Sequence, residues 1–229
     1  MHYMEITANN KKIPLDWIFL FRLFFTILGW TTIIIGQIRR YTNPANASLP
    51  WWELIFGSYR YFTMQTNFLA LTWLSLGLIW YNKPQFMDKI NGWLKGAINA
   101  YVTGMMLLFA LLLSYTYHPT GFDAFSNIIL HYIIPLAFIV DWFLSEKKKY
   151  KWNYLISWII YPYTYLGFAE IHGLLTGDYL YPFLDFDRLG PLGFSLMFLF
   201  LTAISLIISS LYIFINRKMI KNVNTTVVH

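Results

Sequence analysis

Six apolar stretches alternate with short polar connections along the chain, at roughly 15–38, 61–81, 97–117, 127–144, 154–175 and 191–215. A helix needs about 20 residues to cross the hydrocarbon core of a bilayer. Backbone polar groups in lipid find partners only inside helices or closed barrels. The pattern therefore predicts an all-α integral membrane protein: six transmembrane helices forming one domain over residues 1–229. Aromatic residues punctuate the span ends, among them Trp17, Trp51, Trp52, Tyr59, Tyr61, Trp80, Tyr115, Tyr117, Trp152, Tyr179 and Tyr181. Rings with one polar edge suit the membrane interface.

Charge gives the direction. Lys11, Lys12, Lys83, Lys89, Lys95, Lys147, Lys148, Lys149, Lys151, Arg217, Lys218 and Lys221 fall on one side of the predicted spans. The other side holds only Arg39, Arg40, Arg60 and Arg188. Basic loops stay in the cytoplasm, so both termini are expected there. The first span is too long for a signal-peptide core and is read as a retained helix.

Composition narrows the function classes. At 57% hydrophobic and 12% charged residues, the chain leaves no room for a separate soluble domain. It has no cysteine, which excludes disulfides, thiol catalysis and iron–sulfur clusters. The net charge of +6 is accounted for by loops on one membrane face. No phosphate loop, zinc-finger spacing or RNA-binding motif is present, so no nucleic-acid partner is expected. His118, His131 and His172 with Asp123 or Glu170 match no ligand spacing, and no metal or other cofactor is expected.

Several polar side chains fall inside the predicted spans at a similar depth, near the outer membrane face: Thr63, Asn67, His131, Glu170 and His172. Ionisable groups within a membrane are costly and mark function by default. Thr63 and His131 make a sensible nucleophile and base, because a hydroxyl is weak until an imidazole takes its proton. The competing reading is a threonine that bonds its own helix carbonyl. Glu170 is placed to orient His131, and Asn67 or Gln65 to donate to a developing oxyanion. Glu170 and His172 are two positions apart and point to different faces of one helix, so His172 is equally an interfacial residue. Pro135 is expected to free the carbonyl of His131 four residues earlier. Arg22 and Asp141 share a depth nearer the cytoplasmic face and are expected to pair.

Three segments carry a resemblance: Phe62-Thr-Met-Gln-Thr-Asn67, His131-Tyr-Ile-Ile-Pro135 followed by Asp141-Trp142, and Tyr181-Pro-Phe-Leu-Asp185. In this order and in these spans they resemble the androgen-induced protein and androgen-dependent TFPI-regulating protein family, most closely its bacterial branch. The resemblance spans nearly the whole chain. It implies a six-span threonine hydrolase in which Thr63 is the nucleophile and His131 the base, with Asp185 beside the site. Animal members cleave fatty acid esters of hydroxy fatty acids, and this chain departs from them in its His–Pro spacing. The expectation is a lipid-ester hydrolase of the bacterial plasma membrane, with an acyl ester as substrate and the bilayer as surroundings. The alternative is a small-molecule transporter or lipid-binding protein that uses the same polar cluster. Oligomeric state leaves no mark in the sequence.

Overall fold

The computed structural model describes residues 16–90 and 92–226; Lys11, Lys12 and the side chain of Lys221 lie outside what it describes. Helices and turns make up the described residues, with no strand among them. Helix α1 (Trp17–Thr42) starts at Asp16, whose carboxylate accepts the Phe19 N–H at 2.8 Å. It ends where Asn43 turns the chain into Pro44, which has no N–H to continue the helix. That end lies four residues beyond the apolar stretch. The extra turn is held by Arg40, which reaches Glu53 at 3.1 Å. Glu53 belongs to a six-residue helix α2 (Trp51–Phe56), followed by a tight turn at Gly57–Arg60. The exposed Trp51, Trp52, Ile55 and Phe56 give α2 the character of an interfacial segment.

Helix α3 (Phe62–Ile79) is followed by the short α4 (Pro84–Ile90) and by α5 (Trp93–Leu108), which continues through a π-turn at Phe109–Leu113. Helix α6 (Gly121–Ile128), a second π-turn (Ile129–Ile133) and α7 (Ile134–Ser145) form one continuous rod. Helix α8 (Tyr154–Thr176) stops at Gly177, whose φ of 70° only glycine adopts freely. Helix α9 (Phe186–Thr226) is broken at Gly190, φ 67°, and restarts at Pro191.

Five of these rods are long and apolar enough to cross a membrane: 17–42, 62–79, 93–113, 121–145 and 186–220. Helix α8 matches them in length at 23 residues, but its five tyrosines and tryptophans, with Glu170 and His172, lower its hydropathy. Side chains that would meet hydrocarbon, such as Phe24, Ile27, Leu192 and Leu199, stand exposed on the outer faces of α1 and α9.

Successive rods run in opposite directions. One end of the bundle gathers the connections before α3 and after α8, joined where Arg60 meets His172 at 3.1 Å. The opposite end gathers α4, the connection after α7 and the tail of α9, where Asn216 accepts the Tyr150 N–H at 2.7 Å. Helix α5 packs against α3, α7, α8 and α9 and is the centre of the bundle. Between the ends lies a core of Ala70, Leu74, Ile98, Val102 and Phe138.

The pair of Arg22 and Asp141 forms as expected, with Nε to Oδ1 at 2.6 Å. Lys95 corrects the charge pattern: it is no loop residue, since only 1% of it is exposed. Its ammonium reaches the second Asp141 oxygen at 2.8 Å and the Ser145 hydroxyl at 2.6 Å. A lysine in the first turn of α5 is fully desolvated by its neighbours, which a one-dimensional tally of loop charges does not register.

Candidate active site

Thr63 sits in the first turn of α3, and His131 in the π-turn between α6 and α7. The wider π-turn shifts the helix register and turns His131 towards α3. A second π-turn lies opposite, and its Phe109 stacks on the imidazole with ring centres 3.7 Å apart. Such turns recur at functional sites. The Thr63 hydroxyl and His131 Nε2 lie 3.1 Å apart.

The other ring nitrogen fixes the tautomer. His131 Nδ1 is 3.1 Å from the Asn127 carbonyl, one turn earlier on the same rod. A carbonyl only accepts, so Nδ1 carries the proton of the neutral imidazole and Nε2 is left as acceptor for Thr63. The polar partner of His131 Nδ1 is therefore main chain. Glu170, expected in that role, does not take it: both its oxygens are buried without a hydrogen bond, within electrostatic reach of Asp185 and Asp187. The reason is rotation: position 170 on α8 faces the start of α9, not the α6–α7 rod.

Asn67 is a support rather than an oxyanion donor. Its amide N–H groups go to the Thr63 and Leu130 carbonyls, each at 2.8 Å. The π-turn explains the second bond. Ile134 donates to Ile129, five residues back, and in that register Pro135 stands opposite Leu130. Pro135 has no N–H, so in that register the Leu130 carbonyl is set free, and Asn67 satisfies it. One amide thus ties the turn that carries Thr63 to the turn that carries His131.

The remaining expected residues lie outside the centre. Gln65 donates to the Tyr59 carbonyl at 2.8 Å and accepts the Tyr161 hydroxyl at 2.7 Å, so neither end faces Thr63. His172 bridges Arg60 at 3.1 Å and the Asp178 carbonyl at 2.9 Å, closing the end of the bundle. Asp185 accepts the Arg188 N–H at 2.9 Å and caps the start of α9.

Two tyrosines complete the centre. The Phe62 N–H, at the open start of α3, donates to the hydroxyl oxygens of Tyr165 and Tyr181, both at 3.0 Å. Tyr165 passes its own proton to the Arg60 carbonyl at 3.0 Å. The Tyr181 hydroxyl is within electrostatic reach of Thr63 and of the Tyr165 hydroxyl, and burial raises its pKa above the ordinary phenol value. Tyr181 reads in the sequence only as one more aromatic at a span end, apart from its place in the Tyr-Pro-Phe-Leu-Asp motif. Tyr165 has no signal beyond its type.

Thr63 and Tyr181 open onto a narrow cleft between α5, α8 and α9. Its cavity volume is about 80 Å³, a slot rather than a roomy chamber. Met105, Leu108, Phe109, Leu166 and Ile204 are among its walls, and its inner end lies at Ala100 and Trp158. From Ala100 to Leu113 the cleft follows α5 for about 20 Å, at 1.5 Å per residue. One leaflet of hydrocarbon is about 15 Å deep, so the cleft is of comparable length. The buried Ala70, Ile98, Val102 and Phe138 lie between this site and the Lys95–Asp141 cluster. Among the described residues no three His, Asp or Glu side chains converge as metal ligands. Comparison with protein-family models, with curated proteins and with solved structures finds no match for this chain.

Proposed function

We propose that the protein is a membrane-embedded hydrolase of long-chain acyl esters that works through a threonine nucleophile. The observation that carries this reading is the 3.1 Å contact between Thr63 and His131 Nε2, with Thr63 facing an apolar cleft and the imidazole behind it. The acyl chain lies along α5, which brings the ester carbonyl to the first turn of α3. Thr63 attacks the carbonyl carbon while its proton passes to His131. His131 then protonates the departing alcohol, and water, deprotonated in turn by His131, releases the carboxylic acid and restores Thr63. Asn67 holds the two turns in register. Fatty acid esters of hydroxy fatty acids are one substrate class consistent with the resemblance to the androgen-induced protein family. Six spans, cytoplasmic termini and a bacterial plasma membrane complete the reading.

A transporter or lipid-binding role would use the same cleft. The apolar plug beneath the site favours a dead end over a through-path. The test is labelling of purified protein by a lipophilic fluorophosphonate. Labelling of wild type that vanishes in Thr63→Ala and His131→Ala is expected. A folded wild-type protein that takes no label and cleaves no long-chain ester would overturn the reading.

A further inference from the structure

We infer that Tyr181 is the oxyanion donor of this site, its hydroxyl taking the charge that develops on the carbonyl oxygen when Thr63 attacks. The inference rests on the hydrolase reading and supplies what that reading lacks. An acyl transfer needs a donor aimed at the new negative charge, and neither expected amide is free. Asn67 is committed to two carbonyls and Gln65 to Tyr59 and Tyr161.

Three observations converge on Tyr181. Its hydroxyl is within electrostatic reach of Thr63, and both residues line the cleft in which the ester carbonyl must lie. Its oxygen accepts the main-chain N–H of Phe62 at 3.0 Å, at the open start of α3. Donation into a phenol oxygen polarises its O–H and strengthens it as a donor. The positive end of the 18-residue α3 adds to the same effect. The neighbouring Tyr165 does not compete for the role, because its proton is spent on the Arg60 carbonyl. A phenol is protonated at neutral pH, as a donor must be, and burial moves the Tyr181 pKa further up.

In the step itself, the Thr63 oxygen forms a bond to the carbonyl carbon as its proton moves to His131. The carbonyl π-pair moves onto oxygen and is met by the Tyr181 O–H. Collapse of the adduct returns that pair, expels the alkoxide and takes the proton from His131. Tyr181 lends a hydrogen bond throughout and keeps its proton.

The experiment is steady-state hydrolysis of a long-chain p-nitrophenyl ester by the purified full chain, comparing wild type, Tyr181→Phe, Tyr165→Phe and Thr63→Ala. Tyr181→Phe is expected to lower kcat about 10²–10³-fold with KM nearly unchanged, the mark of an interaction made only in the transition state. Tyr165→Phe is expected to cost much less. A merely structural Tyr181 is distinguished by replacing it with fluorotyrosines of graded acidity, which keep the fold; kcat should follow phenol acidity. That series also decides the matter if Tyr181→Phe fails to fold. An active wild type silenced by Thr63→Ala, with rates indifferent to position 181, overturns this inference alone. A wild type without turnover overturns it together with the hydrolase reading.

Discussion

The bundle holds two polar clusters of opposite character. Around Asp141, every charge is answered: Arg22 and Lys95 take its two oxygens at 2.6 and 2.8 Å, and Ser145 bonds both cations. Among the described residues, no charge pair involves the side chains around Thr63. A hydroxyl, a neutral imidazole and two phenols meet, with the hydroxyl at the edge of a cleft. A saturated cluster locks α1, α5 and α7 together and leaves nothing with which to act. Chemistry needs an atom that is positioned yet uncommitted, next to space for a substrate. The contrast teaches that buried charge alone does not locate an active site; unspent hydrogen-bonding capacity beside a cavity does.

That comparison is most sharply tested by exchanging what each cluster loses. Thr63→Ala is expected to cut ester turnover by at least about 10³-fold, since groups that act as a unit lose nearly everything together. Its melting temperature in detergent should stay within a few degrees of wild type. Asp141→Ala should reverse the pattern, stranding two cations and costing about 3–5 kcal/mol of stability. Thermal unfolding and yield of folded protein would show it, and a stable Asp141→Ala protein would refute the clamp.

Asn67→Leu tests the link within the site. It leaves the Thr63 and Leu130 carbonyls unpaired, at about 1–3 kcal/mol, and should lower kcat by loosening the Thr63–His131 contact. Unchanged kcat would show that the two turns keep their register without the amide. Gly104→Leu tests the cleft. A Cβ at Gly104 meets only Ile208 at 3.8 Å, so the fold tolerates the change while the side chain fills the space beyond it. The preferred acyl chain should shorten, read from rates across a series of esters of increasing length. The smallest effect belongs to Glu170→Gln, expected to leave turnover within a few-fold of wild type, because the Asn127 carbonyl holds the base. A loss as deep as that of His131→Ala would restore Glu170 to the centre.

The sequence by itself determined the six rods and the opposed directions of the chain, because span length and hydropathy are local properties that a membrane makes decisive. It also brought Thr63 and His131 to one depth, since depth follows from rise per residue along each helix. Rotation about each helix axis was left to the tertiary structure. Rotation took Glu170 away from His131, drew Lys95 inward from the tally of loop charges and turned Tyr181 from a belt aromatic onto Thr63. Helix register was decided there too. The two π-turns place His131 between Phe109 and Thr63, and they release the Leu130 carbonyl that Asn67 takes. These outcomes depend on packing between different segments of the chain, such as Asn67 with Leu130, and no local pattern encodes which faces meet.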